Sequence, residues 1–191
     1  KVKAKLDHMT LFLPISSSPS SKPSVNFDQC ENGELGNEQQ CINSAWVNGN
    51  VNEQKAHYLE GDSVPYRAIL TNLTSGNEYT LEIEWDTTKG GHHAIDYLTS
   101  YDRTETDADV CSDIYSNCGA GDTITSYPIP ENTFMTSQSD WVSNGASQIY
   151  GEFTVYNGTI VSTPVYTNPT SYSGDTSTSI LLTIRADAND Y

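Results

Sequence analysis

Two close pairs of cysteines, Cys30/Cys41 and Cys111/Cys118, carry the most definite chemistry in this chain. Neither pair is spaced Cys-x-x-Cys, and no histidine stands at zinc-like distance from either. Four cysteines allow three pairings, and proximity favours the two local ones. Each local disulfide would close a short loop and add about 2–3 kcal/mol, mainly by restricting the unfolded chain. Such bonds belong to an oxidising compartment outside the cytoplasm.

Five carboxylates in an acidic loop around the second cysteine pair, Asp102, Glu105, Asp107, Asp109 and Asp113, offer the hard oxygen ligands that suit calcium. The stretch lacks the central glycine and closing glutamate of an EF-hand loop, and many acidic surface loops bind nothing. No cofactor is expected, and calcium in this loop is the single candidate. His92, His93 and Asp96 lie close in sequence, but neighbouring residues of a strand point to opposite faces, which argues against one shared ion. Glu82 and Glu84 share a face, as a glycosidase pair would, although an outward acidic face is the simpler reading. The other histidines are His8 and His57, and no Gly-x-Ser-x-Gly motif accompanies any of the four. No catalytic residue is therefore assigned, and a non-enzymatic protein is expected. Asn72-Leu73-Thr74 and Asn157-Gly158-Thr159 match the N-glycosylation pattern.

These groups sit in a chain of 191 residues, 36% of them hydrophobic, with no apolar run long enough to span a membrane. Its formal charge of −16 disfavours nucleic acid, whose phosphates are held by Lys and Arg. The charge is uneven: residues 1–22 carry +3, from Lys1, Lys3, Lys5 and Lys22 against Asp7, and the rest carries −19. A first residue of Lys1 rather than Met fits a secretory signal already removed.

Period-two patterning dominates what positions these residues. Residues 1–13 read as an extended strand, with Val2, Ala4 and Leu6 alternating with lysines. The apolar phase then slips to Met9, Leu11 and Leu13, with Phe12 also apolar, which suggests a bulge or two short strands. Residues 14–24, rich in Ser and Pro, read as a linker that could reach roughly 30 Å. The body is expected over 25–191. Within it, residues 26–54 read as loops with short strands, and 57–60 as a strand. Val64, Tyr66, Ala68 and Leu70 mark another. Tyr79, Leu81, Ile83 and Trp85, alternating with acids, mark the clearest strand of all. Residues 92–102 read as a strand, with further strands near 123–129 and 147–156. Asn157-Gly158 reads as a type I′ hairpin turn joining 149–156 to 159–167. A last strand covers 179–185. Seven or more short strands without a convincing helix predict an all-β, antiparallel β-sandwich.

The N-terminal segment has three fates: packing on its own sheet, disorder, or addition to the sheet of a neighbour. Seven apolar residues in water argue against disorder. A strand packing on its own domain needs only a short turn, so the long linker favours a neighbour. The +3 segment and −19 body attract one another and disfavour segment-to-segment pairing. Head-to-tail donation that does not close into a ring generates filaments.

The segments DQCENG, SAWVNGNVNE, HYLEGDSVPYR, TLEIEWDTTKGG and HAIDYLTSYDRTE, with Cys41 and the late TSTSI, resemble a family of secreted or surface proteins of environmental bacteria. The resemblance implies an Ig-like or prealbumin-like β-sandwich. It is also similar to protomers of extracellular helical filaments joined by N-terminal donor strands, and it carries no catalytic residues. The expected function is a structural subunit of a pilus-like cell-surface filament, a homopolymer built by donation of residues 1–13. The alternative is a secreted carbohydrate-binding or adhesive module that holds glycans through exposed Tyr and Trp, with calcium in the acidic loop.

Overall fold

The computed structural model describes residues 2–5, 9–13, 22–49, 51–114, 118–119 and 121–187, the first two stretches as backbone. Its strands are β1 (Val2–Lys5), β2 (Met9–Leu13), β3 (Ser24–Cys30), β4 (Gly33–Glu34), β5 (Asn37–Glu38), β6 (Trp46–Val47), β7 (Tyr66–Thr71), β8 (Glu78–Lys89), β9 (His92–His93), β10 (Ile124–Pro128), β11 (Glu152–Tyr156), β12 (Gly158–Ile160), β13 (Val165–Thr167) and β14 (Thr176–Ala186). Two short helices, α1 (Thr133–Thr136) and α2 (Ser139–Ser143), lie between β10 and β11.

The largest sheet runs β1-β2-β8-β14-β12, with β9 on β8 and β13 on β14. Its spine is the antiparallel β8–β14 pair, in register from Arg185↔Glu78 to Thr176↔Thr88, with one shift at Thr176/Ser177. The alternation in β8 and β14 sorts the two faces. Leu81, Trp85, Ile180, Leu182 and Ile184 are buried. On the opposite face Ser179 and Ser177 donate to Glu82 (2.8 Å) and Glu84 (2.7 Å) across the ladder. The two glutamates are thus cross-strand acceptors. At the register shift, consecutive Thr87 and Thr88 are both buried, as a bulge allows, and both side chains bond Thr176.

A second sheet, β6-β3-β7, covers this apolar face. Phe27 of β3 packs with Leu81, Trp85, Ile160, Ile180, Leu182 and Ile184, and stacks on Tyr66 at 5.4 Å. Full burial of such side chains stabilises by about 1.5–3 kcal/mol each. The all-β antiparallel sandwich is therefore present, with both disulfides in the local pairing, Cys30–Cys41 and Cys111–Cys118. The first is fully buried with Ala45 and Trp46 in a smaller cluster.

The N-terminal segment takes one of the two forms its apolar slip allowed, two short strands, paired Val2↔Leu13 to Lys5↔Thr10, with β2 on β8 of the same chain. Several other expectations need correction. The second sheet begins at Ser24, inside the expected linker. Residues 57–60 form no strand, because side chains take their backbone groups: His57 N–H donates to Asn32 Oδ1 and Leu59 N–H to Asp62 Oδ2. Of residues 92–102, only His92–His93 is a strand.

Asn157-Gly158 is not a hairpin turn. Asn157 has the positive φ (54°) such a turn needs, but β11 pairs with β10 and β12 with β14. The pair is a corner where the chain changes sheets. A Cβ on Gly158 would lie 3.0 Å from the Arg185 carbonyl oxygen, so the close approach to β14 requires glycine.

Candidate assembly site

Two features bear on assembly: the way the N-terminal strands are held, and a slot beside β7. β2 adds to the edge of β8 through four register pairs, Met9↔Trp85, Thr10↔Glu84, Leu11↔Ile83 and Phe12↔Glu82. Positions 9 and 11 thus share register with residues of β8 in the core phase. β1 pairs with β2 alone. Of the expected donor residues, Val2, Ala4, Met9, Leu11, Phe12 and Leu13 lie in these two strands, and Leu6 lies outside the described residues. Residues 14–21, most of the linker, also lie outside them.

On the other sheet, β7 pairs with β3 from Tyr66↔Gln29 to Thr71↔Ser24. Among the described residues no strand pairs with its other edge. Beside that edge is a cavity of about 830 Å³. All six residues of β7 line it, as do residues 94–101 and 153–158. Its floor is apolar and comes from the large sheet and β3, through Leu81, Ile83, Leu182, Ile184 and Phe27. A cavity under one face of a strand touches alternate residues; one that touches six in a row runs along the strand's edge.

The walls of this slot are fixed by bonds that β ladders do not supply. Past β9 the Ala94 and Ile95 N–H groups still donate to the Thr87 and Asp86 carbonyls of β8 (3.0 and 3.1 Å), but residues 96–101 make no ladder. They are tied to the next wall by Thr99 Oγ1 donating to the Tyr150 carbonyl (3.1 Å) and Glu152 N–H donating to Ser100 Oγ (3.0 Å). A Cβ on Gly151 would lie 2.3 Å from the Ser100 nitrogen, so this contact too needs glycine. Arg67, at the start of β7, donates to buried Asp28 (3.0 Å) and to the carbonyls of Val110 (3.2 Å) and Ser112 (2.7 Å). Its guanidinium lies 4.7 Å from the centre of the Trp46 ring. One side chain therefore ties both disulfide regions to β7. Arg103 donates to the Gly61 carbonyl and Ser63 Oγ. Burial pushes the Tyr66 phenol up to about 12.

The five carboxylates proposed for calcium are spread along a loop. Glu105 accepts from Asn32 Nδ2 (2.7 Å) and Asp109 Oδ1 from the Cys111 N–H (2.9 Å). Asp102, Asp107 and Asp113 are exposed. Among the described residues, no three Asp, Glu, His or Cys side chains converge on one point. Asn72 opens the turn between β7 and β8 with φ 61°, whereas the Asn157 side chain donates to Asp122 Oδ1 (2.8 Å).

A smaller cavity of about 160 Å³ lies against α2, lined by His93, Asp96, Gln138, Asp140, Trp141 and Tyr172 among others. His93 stands 3.8 Å from Asp96 and 3.9 Å from Asp140. Burial holds the Asp96 carboxyl above its usual range, and His93 partly offsets this. Among the described residues no helix is long and apolar enough to cross a membrane.

Sequence reading did not find the slot or the Arg67–Asp28 pair. Val64, Tyr66, Ala68 and Leu70 located β7, but no local pattern announces that a strand lacks a neighbour on one side. Compared with protein-family models, curated proteins and solved structures, the chain matches none of them.

Proposed function

We propose that the protein is a structural subunit of an extracellular, pilus-like homopolymer, in which the N-terminal strand of each copy completes a sheet of the next. One observation carries the reading: residues 9–12 pair with the edge of β8 and their strand carries only β1 on its other side, yet ten residues separate Leu13 from β3. A strand joined by so long a Ser/Pro-rich stretch can seat in its own molecule or in a neighbour. Head-to-tail seating does not close on itself and extends indefinitely unless a ring forms. The +3 segment and −19 body favour the encounter. Both disulfides suit an oxidising, extracellular setting. The reading invokes no catalysis and no cofactor.

Electron microscopy of the protein with and without residues 1–22 tests it. Filaments that vanish on truncation are the expected result; identical monomers in both samples contradict the reading.

A second reading, a carbohydrate-binding module, is favoured by the small cavity at α2. There Trp141 and Tyr172 offer aromatic surface, and Asp96, Asp140 and Gln138 offer partners for hydroxyl groups. Glycan arrays run with and without chelator test this module and its calcium together. Binding abolished by Trp141→Ala supports it, and an array without signal removes it.

A further inference from the structure

We propose that the slot beside β7 receives residues 9–13 of a second copy of this chain, laid along the free edge of β7 as an added strand. This rests on the assembly reading above and names its receiving site.

The slot's chemistry selects the class of occupant. Its floor is apolar, from Phe27, Leu81, Ile83, Leu182 and Ile184, so it favours an apolar filling. Its side is the edge of β7, which presents backbone N–H and C=O groups with no ladder partner among the described residues. A lipid chain would cover the floor but would strip water from those groups and give nothing back. An extended peptide supplies both apolar side chains and a ladder, as in strand addition to an open sheet edge. The slot therefore fits a β-strand.

The chain holds a matching segment. Met9–Leu13 is a five-residue strand, against six residues in β7. Met9, Leu11 and Leu13 alternate, so one face of the strand is large and apolar, as the floor requires. Val2 and Ala4 of β1 are smaller and fill less. The charges agree: the segment belongs to a +3 stretch and meets a −19 body. Arg67, the cation beside β7, is already paired with Asp28.

Assembly also needs a driving force. Exchange of β2 from its own β8 to a neighbour's β8 reproduces the same contacts and adds none, while association still costs entropy. Transfer to the slot gives up four register pairs and gains a six-residue edge with an apolar floor that the monomer leaves unfilled. The β7 slot, not the β8 edge, thus makes the polymer more favourable than the monomer.

The test is photo-crosslinking in the full chain. p-Benzoylphenylalanine replaces Leu11 in one variant and Leu13 in another, so a folding defect in one leaves the other to report. Equal amounts of ¹⁴N- and ¹⁵N-labelled protein are mixed, irradiated under assembly conditions, digested and analysed by mass spectrometry. Crosslinks of mixed isotope to residues 66–71 are expected. Crosslinks of mixed isotope to Glu82, Glu84 or Trp85, which lie on β8 outside the slot, overturn the slot and leave assembly by strand exchange standing. Crosslinks to those three residues within one isotope only overturn the slot and the assembly reading together.

Discussion

Leu11 stands opposite Ile83 in the antiparallel β2–β8 ladder, and Ile83 stands opposite Ile180 in the β8–β14 ladder. The apolar phase of the N-terminal segment therefore coincides with the core phase of the sheet it joins. A segment whose sequence suits a neighbour's sheet is held, in the single chain, by its own.

That relationship changes what a charge at position 11 does. An aspartate confined to a neighbour's groove would leave the monomer untouched, but one in register with Ile83 also weakens the chain's own β2–β8 pairing. Leu11→Asp is expected to lower monomer stability by about 1–3 kcal/mol, because position 11 stands in register with Ile83 of the core phase. Deletion of residues 1–13 should cost a similar amount and keep the near-UV circular dichroism of a folded body. A body that cannot fold without the segment would show that β2 is part of the core.

Arg67 should matter more to stability than any surface charge. It is nearly buried, as is Asp28, and it also holds the Val110 and Ser112 carbonyls. Arg67→Ala leaves a buried carboxylate without its partner and is expected to cost about 3–5 kcal/mol in urea unfolding. The double change Asp28→Asn with Arg67→Met should recover part of the loss. A loss below about 1 kcal/mol would mean the pair behaves as an exposed one.

The two disulfides should reduce in order. Cys30 and Cys41 are 0% and 1% exposed, whereas Cys111 and Cys118 are half-buried in a loop. Mild dithiothreitol under native conditions, followed by alkylation and mass spectrometry, should label Cys111 and Cys118 first. Labelling of Cys30 and Cys41 first would place the weaker region in the β3–β6 cluster. Replacement of both Cys30 and Cys41 by Ala should cost about 2–4 kcal/mol.

Buried phenols set an alkaline limit. Burial raises Tyr66 and Tyr166 to about 12 and also raises Tyr58 and Tyr101. A group whose folded pKa lies above its unfolded value stabilises fully below the unfolded value, about 10 for tyrosine, and loses that contribution as pH rises through the folded one. Tyrosinate absorbance at about 295 nm should therefore rise together with loss of near-UV signal between about pH 10 and 12. Titration centred near 10 with the fold intact would show that these rings are wet.

What was legible in the sequence was local. Alternation marks β7, β8 and β14 because each turns one face to the core, although β7 only half-buries its own, and the cysteine pairs are close enough for separation alone to match them. The misreadings came from partners distant in sequence. Asn157-Gly158 has the residues of a hairpin turn, but β10 and β14 take the strands on either side. Residues 96–101 have strand composition, yet contacts of Thr99 and Ser100 with residues 150–152 hold them where a ladder would. The slot is a property of how two sheets are stacked, so no window of sequence contains it. The register of Leu11 on Ile83 likewise needed the fold, although the apolar phase that allows it was plain.

Sedimentation velocity of the full chain over a rising concentration series tests assembly through the N-terminal strand most directly. The account predicts species that grow without a plateau at dimer, and a chain lacking residues 1–22 that stays monomeric throughout. A full chain that sediments as a 21.0 kDa monomer at every concentration would contradict it.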